Sequence, residues 1–323
     1  MTLRRLGNSD IEISPLGLGC WQFSEGKGLG GSYWEALPIA TVEHIVQAWL
    51  DGGMNWFDTA EAYGEGRSEQ VLGAALKACG QKNGDVVVAT KWAPLPMRTA
   101  RSIVKTANYR LRNLKGFHID LHQVHAPVGA LATHRQQMHA MAELVRVNKI
   151  KTVGISNFTA SMMRNCHGYL AEKEVPLVSN QMEYSLLNRR IESNGVMDTA
   201  KELGVTIIAY SPLAQGLLSG KFHDDPELIK RRPGIRRFRK PFWARSMAKS
   251  KPLIDTLRRI GANYDADAAQ VALNWTVNFH GDTVVAIPGA TRLAHAEANV
   301  AALAFELTKA ELGEIDEASK AWM

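Results

Sequence analysis

The chain predicts a (β/α)8 barrel, a TIM-barrel α/β fold, carrying an N-terminal β-hairpin and extra helices after the seventh strand and at the C-terminus. Two observations lead there. Short β-branched or apolar runs alternate with longer amphipathic patterns at about 25–40 residues per unit, the spacing of parallel strands joined by crossover helices. Eight such units occur in 323 residues, which favours a closed barrel over an open sheet.

In chain order, Leu3–Ile13, turning at Gly7-Asn8, reads as a hairpin able to plug the barrel floor. Pro15–Gly19 is the expected first strand. Met54–Phe57, Val86–Ala89, Ile119–Val124, Thr152–Ile155, Leu177–Ser179, Val205–Ala209 and Thr283–Ile287 follow. Helices are expected over Val42–Leu50, Ser68–Ala78 closed by Gly80, Ala100–Leu114 closed by Gly116, Arg135–Val147, and Val196–Leu203 closed by Gly204. Ser68 stands where an N-cap belongs, and Thr308-Lys309-Ala310-Glu311 has the form of a capping box. The gap from Tyr210 to Thr283 breaks the rhythm and must hold an extended loop and additional helices. No linker, repeat or low-complexity tract appears, so the expectation is one domain over residues 1–323.

Composition narrows the function classes. With 46% hydrophobic and 22% charged residues, the chain is expected to be globular, and disorder or fibrous architecture is excluded. No run approaches 18 apolar residues and the N-terminus lacks an apolar signal core, so the expected location is cytoplasmic, with no membrane partner. Cys20, Cys79 and Cys166 are odd in number and far apart, which fits neither a disulfide framework nor a zinc module.

The net charge of +6 is concentrated. Residues 221–251 hold 11 Lys/Arg against three acids, a local +8 that leaves −2 elsewhere. This stretch, which includes Lys221, Arg236, Arg237, Phe238, Arg239, Lys240, Phe242 and Trp243, has three readings: a solvated loop, a single-strand nucleic-acid grip, and a clamp on the phosphates of a small ligand. One irregular segment is a poor duplex footprint, and the phosphate clamp is favoured.

Two phosphate motifs fail on context. Gly26-Lys27-Gly28-Leu29-Gly30-Gly31 has the spacing of a dinucleotide fingerprint, with Asp51 about 20 residues on, but no helix begins before about Ile39. Gly216–Lys221 resembles a P-loop only until Gln215 stands where glycine is required. His118, His122 and His125 suggest a metal until the strand period is applied, which sends His122 and His125 to opposite faces. No metal is expected.

Polar residues at successive strand ends carry the chemistry: Asp58, Lys91, His125, Ser156 with Asn157, Gln181 and Tyr210. In a parallel barrel these ends share one mouth. A buried Asp and Lys each need a partner and can serve one another. Tyr63, five residues past Asp58, reaches the same mouth, and a cation beside its phenol is expected to lower its pKa toward working pH. His125 would then orient a carbonyl oxygen that Tyr63 protonates. No side chain supplies hydride, so a nicotinamide cofactor is implied.

With these residues placed, the chain resembles the aldo-keto reductase superfamily along its whole length. The resemblance rests on Gly17-Leu18-Gly19-Cys20-Trp21, Phe57-Asp58-Thr59-Ala60 with Tyr63-Gly64, Thr90-Lys91, Gln123-Val124-His125-Ala126-Pro127, Gly154-Ile155-Ser156-Asn157-Phe158, Ala209-Tyr210-Ser211-Pro212-Leu213 and Ile287-Pro288-Gly289-Ala290. It implies NADPH-dependent reduction of aldehydes or ketones with Tyr63 as general acid, Asp58 and Lys91 as its tuning pair, and His125 as substrate orienter. It implies that Ser156, Asn157 and Gln181 hold a carboxamide and that Tyr210 stacks on the nicotinamide. Gly19, Cys20, Trp21, Ser211, Pro212, Leu213, Ile287 and Gly289 are implied in the same cofactor site. Gln215–Lys221, with Gly216, Leu217, Ser219 and Lys221, looks like the loop that covers the pyrophosphate.

Arg292 suits a 2′-phosphate and Asn299 an adenine, which favours NADPH over NADH, although His295 and Ala298 depart from the pattern of many relatives. Trp21, Phe23, Trp92 and Trp243 are candidates for the wall of a pocket taking apolar or aromatic carbonyl substrates, with core packing as the alternative for each. A cofactor-binding, redox-sensing regulatory subunit with little turnover is the second functional reading.

Overall fold

A computed structural model describes residues 2–28, 33–231 and 242–323. The hairpin pairs β1 (Arg4–Arg5) with β2 (Glu12–Ile13). The barrel strands are β3 (Leu18–Gly19), β4 (Trp56–Asp58), β5 (Val87–Trp92), β6 (Ile119–Val124), β7 (Ile150–Ser156), β8 (Leu177–Glu183), β9 (Thr206–Tyr210) and β10 (Val284–Ala286). All seven neighbouring pairs from β3 to β10 are parallel, in sequence order. Bridges Leu16–Ala286 and Gly19–Gly289, with hydrogen bonds from Ala286 to Pro15 and from Gly17 to Ala286, join the first strand region to the last.

Between the strands lie α1 (Ile39–Asp51), α2 (Arg67–Ala78), α3 (Ala100–Asn113), α4 (His134–Arg146), α5 (Ala160–Ala171) and α6 (Val196–Leu203). The long interval after β9 contains α7 (Lys221–Asp224), α8 (Glu227–Lys230), α9 (Ala244–Gly261) and α10 (Ala268–Asn278), and α11 (Leu293–Ala301) and α12 (Lys309–Ser319) close the described chain. The expected fold is therefore the observed one, extra helices included.

Side-chain alternation divides the apolar residues into two cores. Inside the barrel floor, Leu6 and Ile13 of the hairpin region pack on Trp56, Ala89, Leu121, Val178, Ile208 and Val285, so the hairpin does plug the floor. Outward residues such as Phe57, Val88, Val124 and Ile155 meet the helices in a much larger cluster. Above the apolar floor, the inward positions become polar, beginning with Asp58, Lys91 and Gln123.

The capping box at Thr308 and Glu311 forms, and Gly204 caps α6. Ser68 is a correction. It lies inside α2, which starts at Arg67 after Gly66, and its hydroxyl is committed to the Cys20 carbonyl at 2.6 Å and to Thr59 at 2.8 Å. That tertiary bond outcompetes local capping. Of the tempting glycine motif, Leu29–Gly31 lie outside the described residues, and α1 begins at Ile39, so no helix follows the motif directly. No helix among the described residues is long and apolar enough to cross a membrane.

Candidate active site

One cleft of about 1640 Å³ opens at the C-terminal ends of the strands. That exceeds the usual few hundred to 1,000 Å³ or so of a single small-ligand pocket. Asp58, Tyr63 and His125 line it. Lys91 lies behind them, fully buried.

The Lys91 ammonium bonds Asp58 Oδ1, donates to the Thr59 carbonyl at 2.9 Å and stands 3.4 Å from the Tyr63 hydroxyl. Burial opposes its charge, yet Asp58 and Tyr63 outweigh that cost and its pKa is raised. The expectation for Tyr63 is corrected: burial dominates and raises the phenol above its ordinary value, although Lys91 pulls it down. The phenol is thus protonated throughout the neutral range. His125 is held to about 3 by burial and then by Lys91, so its imidazole is neutral. Its ring meets Tyr63 edge-on at 5.6 Å.

The Asp58–Tyr63 loop is anchored from behind by a carboxylate that sequence reasoning missed. Glu61 accepts from the Ala93 amide at 2.6 Å and pairs with both Arg98 and Arg110. Arg110 reaches Glu69 at 2.8 Å, which also takes the Thr90 hydroxyl at 2.6 Å and the Asn113 amide at 2.9 Å. The signal was available as a charged residue in an otherwise buried loop, but its partners lie more than 30 positions away, on the loop after β5 and on α3.

Each expected cofactor residue but Leu217 lines the same cleft. Leu217 is turned instead into a small apolar cluster with Phe222 and Phe242. Ser156 donates to the Gln181 carbonyl at 3.0 Å, Asn157 to the Ser156 hydroxyl at 3.1 Å, and Tyr210 to Asn157 at 3.0 Å. Gln181 has its amide nitrogen on Asp58 at 2.9 Å, so it serves the Asp–Lys pair as well as the shelf.

The loop after β9 has an unusual backbone. Ser211, Ala214, Gln215 and Gly216 all adopt positive φ, at 52°, 45°, 60° and 89°. Left-handed conformations in non-glycine residues cost energy and cluster at ligand clamps. Lys221, Arg231 and Arg292 also line the cleft, Lys221 and Arg292 both close enough to His295 to act on it, and the buried Asn299 amide nitrogen has no hydrogen-bond partner. His295, bonded to Thr291 and Arg292, is held down to about 4 by burial and by Arg292 and Lys221, so it adds a neutral ring. A strained loop, cleft-lining cations and an orphaned amide fit a dinucleotide cofactor with its phosphates.

Other parts of the basic stretch turn elsewhere: Lys230 pairs with Glu227, Lys251 with Asp255, and Lys249 sits over Trp322. Arg232, Arg236, Arg237, Phe238, Arg239 and Lys240 lie outside the described residues.

The pocket wall also differs from expectation. Trp21 lines the cleft, but Phe23 and Trp92 are buried in the helix-facing core, and Trp243 precedes α9 half exposed. The additional wall residue is Trp34, edge-on to Trp21 at 6.0 Å, and Tyr33 stacks on Trp21 at 4.8 Å. Their signal was the adjacent aromatic pair in a loop without core periodicity. Among the described residues, no group of three or more His, Cys, Asp or Glu could hold a metal ion.

Fold and site define an oxidoreductase barrel with its polar centre at the strand C-termini. The aldo/keto reductase family model matches residues 15–320, and the chain belongs to that family. It is 35% identical over 314 residues to an uncharacterized oxidoreductase of Mycobacterium tuberculosis, covering 96% of this chain and 91% of the relative. It is 30% identical over 320 residues to the chloroplastic pyridoxal reductase of Arabidopsis thaliana, covering 96% and 84%. Among solved structures, a thermostable aldo-keto reductase in complex with the inhibitor epalrestat superposes with a TM-score of 0.76 at 27% identity, covering 98% of this chain and all of that one. Aldo-keto reductases use nicotinamide cofactors, and the family reduces carbonyl groups.

Proposed function

We propose that this protein reduces aldehydes or ketones to alcohols with NADPH, with Tyr63 as the proton donor. The carrying observation is the protonated phenol beside a buried ammonium at 3.4 Å, facing a neutral imidazole across the cleft. Such a phenol can donate to a carbonyl oxygen as negative charge develops there, and Lys91 stabilises the phenolate left behind. A neutral His125 orients the oxygen by hydrogen bonding without competing to deliver a full proton. Asp58 keeps Lys91 charged and aimed.

Ser156, Asn157, Gln181 and Tyr210 would hold the nicotinamide end, the Ser211–Ser219 loop the pyrophosphate, and Lys221, Arg292 and Asn299 the adenosine end. The cofactor supplies the hydride that no side chain can. Lys221 and Arg292, two cleft-lining cations that both bear on His295, support NADPH over NADH. Trp21 and Trp34 suit a planar apolar or aromatic carbonyl body, and the relative named pyridoxal reductase is consistent with that class. The location proposed is the cytoplasm, and the partner proposed is a small carbonyl compound rather than nucleic acid.

The test follows NADPH and NADH absorbance with aromatic, aliphatic and dicarbonyl compounds, for the native protein and Tyr63→Phe. NADPH consumption that falls at least about a hundredfold in the variant supports the reading. A variant as fast as the native protein removes Tyr63 from the role. Tight NADPH binding with no turnover across the panel would turn the reading toward the regulatory subunit.

A further inference from the structure

Asp58 faces Lys91 with one oxygen, and two amides hold the other. Oδ2 accepts from Gln123 Nε2 at 3.0 Å and from Gln181 Nε2 at 2.9 Å. Gln181 Nε2 is also 3.4 Å from Gln123 Oε1. All four side chains are buried. Gln123 stands level with Lys91 in the β5–β6 register and with Gly154 in the β6–β7 register. A Cβ at position 154 would come 2.9 Å from Gln123 Cγ and 2.3 Å from Ser179 Oγ. Carbon atoms in contact prefer about 3.5–4.0 Å. Glycine at 154 therefore leaves the space that the Gln123 side chain occupies on its way to Asp58.

We infer that Gln123 is a positioning residue for carbonyl reduction, reaching Asp58 through the space left by Gly154 and holding the Asp58–Lys91 pair against Tyr63. The inference rests on the reading of Tyr63 as proton donor. A buried carboxylate that loses a charge-assisted donor loses a substantial stabilising contact. Without Gln123, Asp58 presents a fuller negative charge to Tyr63 and binds the ammonium more closely to itself. The charged or titratable groups facing the phenol are Asp58 on β4, Lys91 on β5, Cys20 after β3 and His125 after β6. Asp58 raises the phenol and Lys91 lowers it, so loss of the amide weakens Tyr63 as an acid.

The experiment measures reduction of 4-nitrobenzaldehyde by NADPH from pH 6 to 10.5 for the native protein, Gln123→Met, Gln123→Glu and Tyr63→Phe. Tryptophan-fluorescence quenching by NADPH and thermal midpoints accompany it. Methionine keeps the length and approximate volume of glutamine but donates no hydrogen bond. Gln123→Met is expected to lose about tenfold in kcat, with KM and NADPH affinity within about twofold, and to move the alkaline limb to higher pH. Gln123→Glu places a second carboxylate beside Asp58 and is expected to lose more and shift further.

Gly154→Ala, combined with Ser179→Ala to remove the hydroxyl clash, leaves the amide chemically intact but displaced. It should reproduce the Gln123→Met profile. A folded Gln123→Met with native kcat and an unmoved alkaline limb overturns the inference, whatever the Gly154 variant does. If Tyr63→Phe reduces the aldehyde at the native rate, the reading of Tyr63 fails instead, so the two failures are distinguishable.

Discussion

Tyr33 and the cleft-lining Gln215 join although 182 positions separate them, with the Gln215 amide donating to the phenol oxygen at 2.9 Å. Tyr33 is stacked on Trp21, and Gln215 belongs to the left-handed stretch after β9. Gln215 and Trp21 both line the cleft assigned to the cofactor, so the bridge ties the loop after β9 to the Trp21 wall. Removing the hydroxyl in Tyr33→Phe keeps the stack and deletes the bridge. A hydrogen bond of about 1 kcal/mol net corresponds to about a fivefold change. NADPH dissociation, followed by stopped-flow fluorescence, should accelerate by that factor while association stays constant. An unchanged dissociation rate would show that the bridge does not retain the cofactor.

The reaction's pH dependence follows from two groups. His125, held to about 3, stays neutral at every pH where the protein is assayed and contributes no limb between pH 5 and 9. Tyr63 is raised above its ordinary value, which is near 10. As an acid it is available below its pKa and lost as pH rises through it. The chemical step of reduction should therefore be level from pH 5 to 9 and fall only at or beyond pH 10. Single-turnover rates across that range check this, and a limb near pH 6–7 would reassign His125 as a titrating group.

Arg292 lines the cleft with its guanidinium bonded to a neutral His295. A hydrogen bond to a charged phosphate is worth about 1.5–3 kcal/mol. Arg292→Ala should weaken NADPH binding roughly tenfold or more and leave NADH nearly unaffected. Paired titrations separate a 2′-phosphate contact from general loss of the site, because the latter lowers both affinities together.

Acid stability should depend on a network whose residues do not line the cleft. The buried Arg189 donates to Glu192 at 2.9 and 2.6 Å, to Asp316 at 2.6 Å and to Ser319 at 2.8 Å, tying the segment after β8 to α12. Burial opposes the Glu192 charge, but the His280 ring at 3.6 Å and hydrogen bonds from Arg189 and Tyr184 prevail and hold its pKa to about 2. A depressed carboxylate contributes stability above its unfolded pKa, near 4.3, and that contribution is lost as pH falls toward 2. Glu192→Gln should lower the thermal midpoint at pH 7 and make the decline between pH 5 and 2 shallower. Arg189→Met, which strands two carboxylates, should cost about 3–5 kcal/mol in urea unfolding. A native-like denaturation midpoint would show that the network is not coupled to global unfolding.

Much of this architecture was readable because burial imposes a period on the chain. Ile119–Val124 is recovered residue for residue, and α6 likewise. Strand ends were harder: β5 runs on through Thr90, Lys91 and Trp92, where polar side chains interrupt the apolar pattern but the ladder continues. Ser68 carried the local signature of a cap, and the Cys20 carbonyl claimed its hydroxyl. Leu217 followed the loop's family resemblance, yet its apolar side chain turned into the cluster of Phe222 and Phe242.

The sequence by itself determined the eight-unit barrel, the plugging hairpin and the polar strand ends that share one mouth, since those follow from residue type and spacing along a parallel sheet. Tertiary structure alone decided which polar atoms meet. Gln123 and Gln181 converge on one oxygen of Asp58 because strand register brings their inward faces together and Gly154 leaves room between them. The protonation of Tyr63 was likewise settled in three dimensions. A nearby ammonium lowers a phenol's pKa in any setting, but burial raised this one further than Lys91 could lower it.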